Sequence, residues 1–397
     1  MWSRRACRLR FRPTSNVPAP LINVLVDDEP LAPRLLDHLT RLEVRESDEE
    51  PTVVALRLRL TQTPTGAFSP IDDEVFGPGV TLGIEVAAPG GSVQRLFTGY
   101  VTHVRPHFES IEANSYVEIL GMDAAVLLDA FERTADYPDA SDSDAAEEIL
   151  ARYNLGADVT STRETHRADT RLLVQRASDW RFMRQLARRN GYVCYFEPDP
   201  ATGSVVGHFK PPALDGEPQA DLTILREAAN LEWIDVQWTL TGPVRRSGAA
   251  IDAVRKRIVR GAGEPELEPL GQDGLGDALE AGLQAGGAEA ATALLRGARP
   301  TDQGLAAESS GATGRELFVI EARGQLDPRL YRNLLRARRT VLIKGVGELL
   351  SGIYYVRSVR TAVDEGVITQ TFIAQRNALG QTGQEEFGQS AEEEEPQ

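Results

Sequence analysis

Cysteine is nearly missing from this chain of 397 residues, which holds only Cys7 and Cys194. One lies in a basic first segment and the other in the apolar run Tyr192-Val-Cys-Tyr-Phe196. A disulfide framework is therefore not expected, and folding in a reducing cytoplasm is. Cys194 reads as a small core hydrophobe, not a nucleophile. No stretch approaches the roughly 18 apolar residues of a membrane helix, so membrane insertion is excluded. Histidine is scarce too: His38, His103, His107, His166 and His208 form no HExxH pair and no zinc spacing with cysteine. His103 and His107 are four apart, but on a strand and its turn they share no helical face and read as structural polar residues. There is no G-x-S-x-G elbow, and Gly77-Pro-Gly79 and Gly345-Val-Gly347 complete no phosphate loop. Aromatic residues make up 6% and form no stripe suited to a sugar platform. No catalytic, cofactor-binding or metal-binding residue is assigned, no cofactor is expected, and the chain reads as a non-enzyme.

Positive charge is also in deficit, with 43 Lys and Arg against 59 Asp and Glu, a net of −16. Such a field repels phosphate backbones and opposes sequence-specific nucleic-acid binding. It equally disfavours a hydrolase that must approach anionic cell-wall polymers. The charge is uneven. Arg4, Arg5, Arg8, Arg10 and Arg12 make a basic start that lacks the apolar run of a signal peptide, whereas Glu392 to Glu395 form an acidic end. Residues 1–20 and 381–397 are accordingly expected to be disordered arms.

Between the arms, alternation dominates the first hundred residues. Leu56-Arg-Leu-Arg-Leu60 and Val80-Thr-Leu-Gly-Ile-Glu-Val86 place apolar side chains on one face of a strand. With the Pro89-Gly90-Gly91 turn and the strands Leu96 to Val104 and Ser115 to Leu120, residues 21–121 are expected to form a β-barrel. Helical spacing appears next. A short helix is expected over Ala124 to Phe131. Asp144 with Glu147 suggests a capped helix reaching Tyr153, and Ser178 caps a second that Asn190-Gly191 ends. A hairpin, Tyr192 to Phe196 and Val205 to Phe209 around Pro198-Asp199-Pro200, completes an α+β unit over 122–221. Residues 222–260 supply connecting strands, including Leu231 to Leu240 and Ile251 to Val259. Residues 261–314, rich in glycine and alanine, read as a flexible segment whose middle, Leu279 to Leu295, has weak helical character. Strands resume over 315–380.

The end of the chain echoes its beginning. Val80 to Val86 precedes a loop and Leu96-Phe-Thr-Gly-Tyr-Val-Thr-His-Val104; Arg339 to Lys344 precedes a loop and Leu349-Leu-Ser-Gly-Ile-Tyr-Tyr-Val356. Each copy sets a hydroxyl residue and a glycine, Thr98-Gly99 or Ser351-Gly352, before a strand, then a polar turn and a closing strand. Such a glycine lets the chain bend or backbones approach. Two similar barrels per chain, in a ring of three, would present six around one axis. Tyr354 and Tyr355 fall on opposite faces of one strand, and Arg357 and Arg360 read as interface or surface groups.

These motifs in this order resemble the phage late control D proteins, the baseplate hub family that includes the hub portion of VgrG-type spike proteins of contractile injection systems. The resemblance spans most of residues 21–380. It rests on Phe97-Thr-Gly-Tyr100, Leu120-Gly-Met-Asp123, the Gln175, Ser178-Asp179-Trp180, Phe182, Leu186-Ala187 and Gly191 block, and Gly345-Val-Gly347 with Ser351-Gly-Ile-Tyr-Tyr-Val356 and Gln375-Arg-Asn377. It implies an α+β protein with two tail-tube-like β-barrel domains flanking an inserted α+β domain. It also implies a homotrimer that adapts a hexameric inner tube protein ring to a trimeric spike among baseplate components. No spike follows Asn377, so the spike is expected to be a separate protein. Assembly in the cytoplasm would precede incorporation into a phage-like or injection-system particle, including a released one. A peptidoglycan-degrading tail-tip enzyme and a carbohydrate- or receptor-binding tail protein are the alternatives.

Overall fold

The computed structural model describes residues 21–381, except 89–90, 170, 227, 241–244, 253, 265, 286–291, 296–299 and 365. The expected terminal arms, Cys7 and most of the Pro89-Gly90-Gly91 turn lie outside the described residues. The protein is mostly β-sheet with few helices. Its strands are β1 (Leu21–Val26), β2 (Leu39–Ser47), β3 (Val53–Arg59), β4 (Thr81–Ala87), β5 (Gln94–His107) and β6 (Tyr116–Met122) in the first part. The insertion carries β7 (Glu132–Tyr137), α1 (Asp142–Arg152), β8 (Gly156–Val159), β9 (Leu173–Ser178), α2 (Asp179–Asn190), β10 (Val193–Pro198) and β11 (Val205–Lys210). Then come β12 (Gln219–Thr223), β13 (Leu231–Trp238), β14 (Arg245–Asp252), β15 (Arg257–Ala262), α3 (Leu275–Ala285) and α4 (Asp302–Glu316). The last strands are β16 (Ile320–Leu326), β17 (Thr340–Lys344), β18 (Gly352–Asp364) and β19 (Val367–Arg376).

One sheet of 13 strands runs through both ends of the chain, in the order β13-β16-β19-β18-β2-β3-β6-β5-β4-β1 followed by the two-residue strand Glu29–Pro30, with β17 on β18 and β12 on β17. The two expected barrels are thus two halves of one continuous sheet, and neither half closes on itself among the described residues. The reason is a shared strand. The first part of β18 pairs with β17 and its second part, Ser358 to Asp364, pairs with β2 on the same edge. That second part joins the halves.

The echo seen in the sequence is an echo of topology. In chain order β2, β3, β4, β5, β6 lie side by side as β2-β3-β6-β5-β4, while β13, β16, β17, β18, β19 lie as β13-β16-β19-β18-β17. The two arrangements are the same permutation. Both long strands, β5 of 14 residues and β18 of 13, carry a register shift against the following strand. Both echo glycines sit where a side chain cannot. A Cβ on Gly99 would lie 2.2 Å from the Met122 carbonyl oxygen, and one on Gly352 would meet the Arg376 guanidinium at 2.4 Å.

Alternation builds each core. In β3 the residues Val54, Leu56 and Leu58 are buried with Ile22, Leu82, Ile84, Phe97, Val117 and Ile119, and Val363 and Ile368 of the second half join them. Ile320, Val341, Ile343, Tyr354, Val356 and Phe372 form the second half's core. The insertion keeps its own core of Tyr137, Ile149, Leu150, Trp180, Phe182, Met183 and Leu186. Its second helix is capped as expected: Ser178 Oγ accepts from the Arg181 amide at 3.3 Å, and Gly191 closes it at φ 74°. The first starts three residues earlier than expected, with Ser141 as N-cap and Asp144 completing the capping box. The short helix is confined to Ala125–Leu128, and α3 lies earlier than the expected helical stretch.

Candidate functional site

Three parts of the fold meet at a buried ionic joint: the end of β2, the segment entering β17, and β10 of the insertion. Arg336, 5% exposed, donates from Nε to Glu46 Oε1 at 2.8 Å and from Nη2 to Glu197 Oε1 at 3.0 Å. Arg339 donates to the same Glu197 oxygen at 3.1 Å. Arg338 reaches the Ser47 carbonyl at 2.7 Å and Thr52 Oγ1 at 2.9 Å, and its guanidinium lies 4.3 Å from the Tyr195 ring centroid. Burial alone would raise the Glu197 carboxyl; Arg336 and Arg339 outweigh it and hold it below the usual range. Asp123 Oδ2 accepts from the Thr52 amide at 2.6 Å, yet burial pushes its pKa up to about 6.

Further along, arginines of β18 clasp β2. Arg360 donates to Glu43 at 2.6 Å, an interaction that lowers the Glu43 pKa to about 2. Arg357 pairs with Asp48 at 3.3 Å and with Glu49. Burial lifts Asp48 to about 6 even so. These arginines, expected at an interface or surface, hold the seam between the sheet halves. Tyr354 and Tyr355 are both buried; Tyr354 donates to the Leu350 carbonyl at 2.6 Å. Beyond β19, the fully buried Arg376 gives its donors to backbone carbonyls, Leu270 at 3.0 Å and Ser351 at 3.0 Å among them.

A cleft of about 560 Å³ opens beside the joint, between α2, α4 and the start of β18. Arg184, Arg188 and Arg315 line it with Cys194, Phe318 and Tyr355. Burial pushes the Cys194 thiol up to about 12, which leaves it protonated and a poor nucleophile at neutral pH. α2 and α4 approach closely here: a Cβ on Gly191 would lie 2.6 Å from Gly311 Cα.

The histidines stay apart. His38 bonds the Arg59 carbonyl at 2.7 Å, His103 contacts Thr102 at 3.1 Å, and His107 stacks on Tyr116 with centroids 4.8 Å apart. His166 pairs with the buried Asp142 at 2.7 Å, and His208 with Asp158 at 2.8 Å. Among the described residues no group of three His, Cys, Asp or Glu side chains has a metal-binding arrangement. Nor is any helix there long and apolar enough to cross a membrane. What sequence reasoning missed is the joint itself. Its partners, such as Glu46 and Arg336, lie 290 positions apart, and no local pattern links them.

A family model described as the Alg8 N-terminal domain matches residues 38–224, just under half of the chain. No curated protein matches. Among solved structures, the tail protein from Neisseria meningitidis MC58 is 11% identical, with a TM-score of 0.61 over 90% of this chain and 97% of that one. The 43 kDa tail protein of prophage MuSo2 from Shewanella oneidensis is 12% identical, with a TM-score of 0.61 over 91% of this chain and all of that one. An E. coli type VI secretion component, described as similar to the T4 tail proteins gp27 and gp5, gives 13% identity and a TM-score of 0.52 over 85% of this chain and 73% of that one. At such identities the likeness is one of fold: this chain is built like the phage and prophage tail proteins, along nine-tenths of its length.

Proposed function

We propose that this chain is the structural hub of a phage-tail-like contractile injection system: a homotrimer that joins a hexameric inner tube to a trimeric spike. The observation that carries this reading is an unmatched strand edge. In the second repeat, β18 pairs with β17 and then with β2 along one edge. In the first repeat, β5 pairs with β4 only through Tyr100, and the same edge beyond Val101 has no strand partner among the described residues. At the far end of the sheet β13, the counterpart of β2, also has one edge without a strand partner among the described residues. An open edge with Val104 and Trp233 exposed beside it is a template for another strand.

Each vacancy fits the other on a second copy. Pairing β5 of one chain with β13 of the next would repeat the β18–β2 seam between subunits, and three chains would then give six equivalent seams. Pro106 supplies no amide donor and shortens the ladder at one end. The buried joint serves the same role, since a hub must pass load between its repeats without slipping. In this reading the particle, assembled in the cytoplasm, includes the tube ring, the spike and other baseplate components as neighbours.

Light scattering on the purified chain tests the stoichiometry. Three copies of 43.4 kDa predict about 130 kDa. A single-chain mass at micromolar concentration would overturn the reading.

A further inference from the structure

The cleft between α2 and α4 reverses the charge balance of the molecule. In a chain of net charge −16 it is lined by five arginines and only two carboxylates, Asp48 and Glu49. Three of those arginines are engaged: Arg181 with Asp129 and Glu132, Arg184 with Glu50, and Arg357 with Asp48 and Glu49. Arg188 and Arg315 have no ion pair among the described residues. They stand in the last turns of α2 and α4, and Arg315 Nη1 donates to the Arg188 carbonyl at 2.6 Å. Helix-end carbonyls attract such cations, but too weakly to replace a counter-ion. Burial and the charge of Arg188 both push the Arg315 pKa down, so the two cations feel each other. Two like charges left beside one cavity call for an anion.

A second observation calls for acceptor oxygens. Tyr355, 2% exposed, forms part of the cleft wall, and its hydroxyl has no hydrogen-bond partner among the described residues. A buried donor left unpaired costs free energy that an incoming acceptor would recover. Phe318 beside it, with ring centroids 6.4 Å apart, adds an apolar wall. The cavity volume of 560 Å³ is that of a small-molecule site.

The acidity of the whole chain does not forbid an anion there. At physiological ionic strength charges are screened over about 8 Å, so the local excess of arginine decides. A guanidinium presents its N–H groups as a planar fork that matches the paired oxygens of a carboxylate or a phosphate. Two such forks suit a ligand with more than one negative charge. We propose that the cleft is a binding site for a small multivalent oxyanion, a phosphate ester or a polycarboxylate, with Arg188 and Arg315 holding its charged oxygens and the Tyr355 hydroxyl donating to one of them. This assignment is independent of the hub reading.

The test titrates the full natural chain with citrate and with pyrophosphate by calorimetry, at a constant ionic strength of about 0.15 M. Saturable binding at one site per chain is expected. Binding of pyrophosphate alone assigns the site to phosphate esters, binding of citrate alone to polycarboxylates, and binding of both to their shared chemistry. Arg188→Ala, Arg315→Ala and Tyr355→Phe should each weaken it by roughly tenfold or more, the loss of a hydrogen bond to a charged group. The two arginines are at exposed positions and Tyr355→Phe deletes only an atom without a partner, so all three variants should melt like the natural chain. Arg59→Ala, exposed and outside the cleft, should bind as the natural chain does. The proposal is overturned if neither anion binds, if any of the three cleft variants binds unchanged, or if Arg59→Ala weakens binding as much as they do.

Discussion

Arg336 holds two carboxylates from different parts of the fold, Glu46 of β2 and Glu197 of β10. A buried ion pair adds little net stability over apolar packing, but removing one partner strands the other charge. Arg336→Ala should therefore destabilise the protein by about 3–5 kcal/mol in urea unfolding. Arg336→Lys should recover only part of this, because a single ammonium cannot span both carboxylates as the planar guanidinium does. Asp123 makes the opposite contribution. Its carboxyl titrates near 6 when folded against an ordinary 3.8, so the folded state holds more protons between those values. Stability from this group rises as pH falls from 7 through 6 and levels off below 4, by about 3 kcal/mol in all. Asp48, also near 6, acts in the same direction. Glu43, near 2, loses its stabilising effect only as pH drops below its ordinary 4.5. His208, whose imidazole burial holds below its usual pKa, opposes this trend as pH falls, so the contribution of Asp123 is read as a difference: between pH 7.5 and 5 the urea midpoint of the natural chain should gain on that of Asp123→Asn.

At the scale of elements, the two echo glycines set how closely strands pack. Gly99→Ala would drive a methyl into the Met122 carbonyl and should cost about 3 kcal/mol, measured as a lowered unfolding midpoint. Much of this level was legible in the sequence because the signals are local. The alternation of Leu56-Arg-Leu-Arg-Leu60 is the buried and exposed alternation of β3, and Ser178 and Gly191 bracket α2 as cap and stop. The start of α1 was ambiguous for a physical reason: Ser141 with Asp144 and Asp144 with Glu147 both have capping-box spacing. The structure uses the first. Glycine content misleads in another way. Composition does not separate a glycine that loosens a chain from one that lets backbones touch, as Gly311 does against Gly191 and Gly263 against Ser310.

For the whole molecule, repetition was visible in sequence but closure was not. A strand pattern states which face is buried; it does not state which edge finds a partner, and that edge decides between two barrels and one shared sheet. The long-range joint was hidden likewise, since Arg336 and Glu46 become neighbours only after both halves fold. In the proposed trimer the β18–β2 seam recurs between subunits. Aligning the register shifts of the two repeats places Arg105 of one chain opposite Gln237 of the next. The most direct measurement is oxidation of a chain carrying Arg105→Cys and Gln237→Cys, with Cys7 and Cys194 replaced by serine and alanine, followed by denaturing electrophoresis. The expected result is covalent dimers and trimers, with a ladder that stops at three. Chains that remain uncrosslinked, or a ladder that continues past the trimer, would contradict it.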